Sequence, residues 1–182
     1  VMNEQRRVIY LRRDQILEGE DLRSAAMEYL ADAVDALIET HCQSLATDEW
    51  DVDGLAKELT LFWPTKLSPE QLSNARSTDD LHQLVMAEAT NHYAEREAEL
   101  GSDTMRDVER QVMLRIIDQR WREHVEEMDY LKEGINLRAM GQKDPLTEWQ
   151  REGFEMFEQL IDTVGQEFVK YIMHVQVVVE ET

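Results

Sequence analysis

Apolar residues recur along most of this chain at steps of three and four. That spacing puts them on one face of a helix and predicts an all-α fold. One stripe runs through Met113, Ile117, Trp121, His124, Met128, Leu131 and Ile135, and it returns as Leu146, Trp149, Gly153, Met156, Leu160, Val164, Phe168, Tyr171 and Val175. Gly141 and the pair Asp144-Pro145 interrupt it, because proline disfavours a helical residue before it and itself suits a first helical turn. Two long helices joined by a short turn are expected to lie antiparallel, stripe against stripe, as a finger with residues 138–143 at its tip.

Nearer the start, Met2, Ile9, Ile16, Leu30 and Leu37 fall on a seven-residue step, with Val8, Leu22, Tyr29 and Val34 beside them. This predicts one long scaffold helix over residues 1–43, roughly 60 Å at 1.5 Å per residue. Its weak point is Glu18-Gly19-Glu20-Asp21, where glycine favours a kink or short break. The same step would suit a homodimeric coiled coil. Arg23 interrupts the seam and few heptads are filled, so packing against the finger is the favoured reading.

The texture changes over residues 44–104. A short helix opens at Asp51 and stops before Pro64, and Ser68-Pro69-Glu70-Gln71 forms a capping box. A further helix starts at Ser77, runs through Leu81, Leu84, Val85, Ala89 and Tyr93, and ends near Gly101. The expectation is a small inserted helical wing with Trp50, Phe62 and Trp63 in its core rather than on its surface. Residues 105–182 then hold the finger, and Val175 to Glu181, β-branched and flanked by charge, read as a short strand or a frayed tail.

Charge narrows the range of partners. Thirty-nine acidic against nineteen basic residues leave a net charge of −20, which repels phosphate and argues against nucleic acid or an anionic membrane surface as a general partner. No apolar run reaches the ~18 residues of a membrane span, and the chain opens without a basic-then-apolar signal segment, so a cytoplasmic protein is expected. Cys42 has no second cysteine to pair with and reads as a small buried helix residue.

Catalytic patterns are missing. There is no Gly-Lys pair of a phosphate-binding loop, and neither His-Glu-x-x-His nor Glu-x-x-His occurs. The finger's carboxylates Glu123, Glu126, Glu127, Asp129, Glu148, Glu152 and Glu155 read as a solvated face, and His124 as a core histidine rather than a ligand. No catalytic, cofactor-binding or metal residue is assigned. Two sets of exposed residues remain. Arg6, Arg7, Arg12 and Arg13 are either a solvated helix face or a docking surface for an acidic neighbour. At the tip, Met140 can contact many apolar shapes without demanding one, and Arg138 and Lys143 flank it. That segment is either a contact site or an ordinary turn.

Several of these segments carry a family resemblance. Trp121 to His124, Met128 to Leu131, Gly134 to Arg138 and Gln142 to Pro145 are similar, in order, to the two-helix finger of SecA, the ATP-driven motor of bacterial protein export. Val1 to Arg7 with Ile9-Tyr10 resembles the start of that family's helical scaffold, and Glu148 to Phe157 the second finger helix. The likeness is weaker over residues 47–103, where the family has its helical wing. The resemblance implies a lever that couples ATPase movement to a preprotein crossing the SecY channel and restrains the ATPase when idle. It implies no cofactor in these residues, with ATP and magnesium held in motor domains elsewhere. It implies a cytoplasmic protein, peripheral at the inner face of the plasma membrane when bound to the channel. It makes Arg138, Ala139, Met140, Gly141, Gln142 and Lys143 the polypeptide and channel contact, and Arg6, Arg7, Arg12, Arg13 and Trp121 candidates for docking the motor domains. Many members of the family carry an aromatic residue where this chain has Met140, so a role specific to that ring is not carried over. The alternative from another class is a self-standing helical adaptor that dimerises through the Val1–Leu37 seam. A helical-bundle enzyme is disfavoured by the missing motifs.

Overall fold

The computed structural model describes residues 2–138 and 144–174. Expectations for the tip at 139–143, for the strand or tail at 175–182 and for the side chain of Arg138 lie outside the described residues. Among the described residues seven α-helices follow one another: α1 Met2–Leu17, α2 Leu22–His41, α3 Val52–Leu59, α4 Pro69–Ser73, α5 Thr78–Leu100, α6 Ser102–Arg138 and α7 Pro145–His174. A short 3-10 turn, Thr47–Glu49, precedes α3, and no strand occurs among the described residues. The described residues form two compact units, one of residues 2–20, 110–138 and 144–167 and the other of residues 21–109 and 168–174.

The single helix expected over 1–43 is two helices. Gly19 takes φ +98°, a conformation that costs glycine little and other residues much. The Asp21 carboxylate then accepts from the Arg23 backbone N–H at 2.9 Å and caps α2. A strong local stop at Gly19 and a strong local start at Asp21, two residues apart, outweigh the seven-residue step that runs through them. Ile9, Ile16 and Leu30 are buried within the chain, so the seam required by a coiled-coil dimer is already used.

The first unit is a three-helix assembly of α1, the greater part of α6 and α7 up to residue 167. Antiparallel pairing of α6 with α7 follows from their contacts. The Trp149 indole donates to the Met128 carbonyl at 3.2 Å, the His124 and Phe157 rings lie 5.7 Å apart, and Arg120 pairs with Glu167. Gln5 against His124 and Arg13 against Asp118 run α1 antiparallel to α6 as well. The predicted stripe of α6 is buried at Met113, Ile117, Trp121, His124, Met128 and Ile135, with Leu131 half-buried. On α7, Gly153, Leu160 and Val164 are buried, Trp149 and Met156 are half-buried, and Leu146 is exposed at the end of the hairpin where α7 begins. Gly153 gives room to the tip of Met128, whose Cε would stand 2.4 Å from a Cβ there and would have to shift to admit one.

The second unit is a cluster of short helices in which α2 packs on α5 and α3, and α3 on α4. Its caps are the ones read from sequence. Asp51 accepts from Gly54 N at 3.0 Å, Ser68 and Gln71 exchange the two bonds of a capping box, and Ser77 accepts from Asp80 N at 3.1 Å. Trp50, Phe62, Trp63 and Cys42 are buried, as expected. Glu88 of α5 anchors the loop after α3, accepting from the Trp63 indole at 2.6 Å, from Lys66 N at 3.0 Å and from the Thr65 hydroxyl. The fully buried Glu109 accepts from Tyr93 at 3.1 Å and pairs with Arg106 at 2.6 Å. Burial raises its carboxyl above the ordinary range, against the pull of Arg106. The last part of α7 buries Phe168, Val169, Ile172 and Met173 while Tyr171 is exposed. The predicted step to Tyr171 was therefore one residue short, since a 3.6-residue period carries Phe168 to Ile172.

Candidate interaction surfaces of the hairpin

The finger's two helices end where the sequence breaks their pattern. Arg138 is the last residue of α6, and Asp144 caps α7. Its carboxylate accepts from Leu146 N at 3.2 Å and from the Thr147 hydroxyl at 2.9 Å, and a negative charge there also suits the helix dipole. Of the expected contact residues, Ala139, Met140, Gly141, Gln142 and Lys143 lie outside the described residues, and Arg138 is placed by its backbone alone. On the described helices themselves three apolar side chains reach solvent: Tyr130 is 76% exposed, Leu137 78% and Leu146 58%. None of these three was singled out as a contact from sequence. Tyr130 and Leu137 lie seven residues apart on the same outward face of α6, and this spacing was the available signal.

The base of the finger is locked by a buried polar node. The Gln5 amide donates from Nε2 to the Gly153 carbonyl at 3.2 Å and accepts at Oε1 from His124 Nε2 at 2.7 Å. One side chain of α1 thus ties α6 to α7. Burial lowers the His124 pKa below the ordinary imidazole value, so the ring is neutral, carries its proton on Nε2 and is committed to Gln5. His124 is a satisfied core histidine, as its place on the stripe predicted. Gln5 was missed, because a polar residue four positions before Ile9 reads as a solvated one until its partner, 119 residues away, is known.

The four arginines of α1 divide. Arg12 pairs with Glu20, and Arg13 binds Asp118 from Nε at 2.9 Å and from Nη2 at 3.4 Å. The hydrogen bond to Asp118 and its charge hold the Arg13 pKa above the ordinary guanidinium value. Arg6 and Arg7 are exposed. The ring of Trp121 packs against His124 at 5.6 Å and also floors a surface cleft of about 740 Å³, walled by Tyr10, Arg13, Asp118, Arg122 and Val125. The structure therefore brings Arg13 and Trp121 together, while Arg12 is drawn to Glu20. The finger's carboxylates behave as a solvated face, with Glu123 paired to Arg120 and Glu148 to Arg151, each at 2.9 Å. Among the described residues no group of three or more His, Cys, Asp or Glu could hold a metal, and no helix is long and apolar enough to cross a membrane.

Comparison with known families decides what kind of scaffold this is. Residues 1–176 match the model of the SecA wing and scaffold domain. The chain belongs to the SecA family. It is 41% identical over 187 residues to protein translocase subunit SecA 1 of Streptomyces avermitilis, covering 100% of this chain and 20% of that protein. It is 45% identical to protein translocase subunit SecA of Beutenbergia cavernae and 38% identical to that of Bifidobacterium longum, each over 97% of this chain and 19% of the relative. The chain thus spans about a fifth of the length of these SecA relatives.

Proposed function

We propose that these residues are the lever and regulator of a SecA-type preprotein translocase. In this reading, ATP-driven movement in motor domains outside residues 1–182 is passed through α1, α6 and α7 to the finger tip. The tip, centred on Met140, touches the preprotein as it enters the SecY channel, and the same helices restrain the ATPase when no preprotein is present. Nucleotide and magnesium belong to the motor domains, and the assembly works at the cytoplasmic face of the plasma membrane. The match to the SecA wing and scaffold model across residues 1–176 carries this reading.

Two structural features support it. Leu137 and Leu146, next to the ends of α6 and α7, and Tyr130 two turns further back are exposed, and such apolar surface suits weak contact with a chain whose side chains change as it slides. Tyr10 and Trp121 beside Arg13, Arg122, Asp14, Asp118 and Glu126 give α1 and α6 a cleft with aromatic walls and charges of both signs, which suits docking of a polar motor-domain surface. The test is a chimera in which residues 1–182 replace the matching segment of a full-length SecA. The chimera is expected to move a preprotein into SecY-containing vesicles, and to hydrolyse ATP faster when preprotein and channel are both present. Normal nucleotide binding with neither transport nor stimulation would overturn the assignment.

A further inference from the structure

A second surface lies on the other side of α1 from Trp121. Gln5, Ile9 and Ile16 mark the inward line of α1. At about 3.6 residues per turn, Arg13, which reaches α6, falls on one flank, Val8 falls on the opposite flank, and Leu11 lies beyond Val8 towards the outer side of α1. On α7 the inward line passes through Gly153. Met156 and Thr163 face α6, which leaves Phe154 and Ile161 on the flank towards α1. Because α1 and α7 are both antiparallel to α6, they run parallel to each other. With Gln5 bonded to Gly153, Val8 and Leu11 then sit at levels between Phe154 and Ile161, Val8 beside the line where the two helices meet and Leu11 on its outer rim. All four side chains are between 42% and 59% exposed.

We propose that this α1–α7 groove docks a single amphipathic helix of a protein partner, apolar on one face and carrying Lys or Arg along its edges. A groove between parallel helices receives the ridge of a third helix, whose apolar residues repeat at the same steps of three, four and seven. Its size selects the occupant. Four half-exposed side chains offer on the order of 300–400 Å², against about 800 Å² per partner in a stable protein interface, so one helix fits and a second copy of this chain does not. Charge selects further. Exposed Glu4, Glu158 and Asp162 edge the groove, Arg7 adds one cation, half-buried Arg12 is paired with Glu20, and the chain as a whole carries −20. That field draws in a basic-edged helix and repels an anionic lipid surface. This surface is distinct from the finger tip, so it stands or falls independently of the translocation reading.

The test uses a synthetic leucine–lysine amphipathic helix of about 18 residues, long enough to hold a helical face on binding. Saturable one-to-one binding to the chain by fluorescence anisotropy is expected. It should weaken at least about tenfold in the double variant Leu11→Asp with Phe154→Asp, and stay unchanged in Tyr130→Asp. A peptide with the same leucines but glutamate in place of lysine should bind at least about tenfold more weakly. Circular dichroism checks the fold, and Leu11→Gln with Phe154→Gln repeats the test if the aspartates disturb it. Equal binding by the double variant and the parent overturns the proposal. So does a concentration-dependent dimer that the same substitutions abolish, or binding of phosphatidylglycerol vesicles through these residues. In a full-length protein carrying this segment, Leu11→Cys should react with maleimide and be protected by the peptide. A thiol that is blocked before peptide is added would mean that the protein's own domains fill the groove, and it too would overturn the proposal.

Discussion

Replacing Gln5 by leucine tests how the base of the finger is held. The substitution keeps the side chain's approximate bulk and removes two hydrogen bonds, to the Gly153 carbonyl at 3.2 Å and from His124 Nε2 at 2.7 Å. Gly153 retains its place in the hydrogen-bond ladder of α7, so its loss is small. His124 is buried and would keep an N–H with no acceptor, a cost of about 1–3 kcal/mol. His124→Leu leaves the Gln5 carbonyl oxygen equally stranded and should cost a similar amount. With both replaced, no buried polar group is orphaned, and the pair should cost about 1–3 kcal/mol less than the sum of the single changes. Amide exchange in peptides covering residues 2–17, corrected for intrinsic rates, reads the opening of α1 without interference from the second unit. Effects that add to within about 0.5 kcal/mol would show that the two residues are not coupled, and the node would be a packing coincidence.

The two units should also respond to pH in opposite directions. His124 has a lowered pKa, so the stability it contributes is present above about pH 6.5 and is lost as pH falls through its folded value. His41 sits between Glu58 at 2.9 Å and Asp51 at 3.2 Å, and its pKa is raised, chiefly by the hydrogen bond to Glu58. Its contribution is complete below about pH 6.5 and is lost as pH rises through its folded value, the direction in which the raised carboxyl of Glu109 also acts over a lower range. Exchange protection of α2 and α3 should therefore fall, and that of α1 rise, on going from pH 5.5 to 8, and His41→Gln should flatten the first trend; equal slopes in both units would contradict the assignment. Gly134→Ala should raise stability by about 0.5–1 kcal/mol on chemical denaturation, since a Cβ there meets nothing within 4 Å and alanine favours the helix. A loss of stability would mean that α6 is not a regular helix at that point.

The elements legible in the sequence were those set by local chemistry. Ser68 with Gln71, Ser77, Asp51 and the stop at Gly101 each act within a few residues, and each cap stands where its residues put it. The hairpin was legible because its stripes are long, and Trp50, Phe62 and Trp63 because so few large apolar residues were available to the wing. The break after α1 was visible as a weak point, yet the apolar step across it argued for continuity. Only the pairing of Gly19 with the cap at Asp21 shows which effect prevails. Gln5 and the exposed faces of α1 and α7 were not legible, because they depend on which flank of a helix a distant helix covers. Val8 is the clear case: beside Ile9 it read as part of the seam, and it faces solvent.

The finger tip carries the central claim, and Met140→Gly in a full-length SecA containing this segment tests it most directly. Fragment stability should change by no more than about 0.5 kcal/mol, as for other surface substitutions. Preprotein transport into SecY-containing vesicles and ATP hydrolysis are then measured on the same sample. If the tip grips the moving chain, transport falls severalfold while stimulated ATP hydrolysis is largely kept, because the lever still moves without holding its load. Transport at the unsubstituted rate would contradict the account and reduce the tip to an ordinary helix–helix turn.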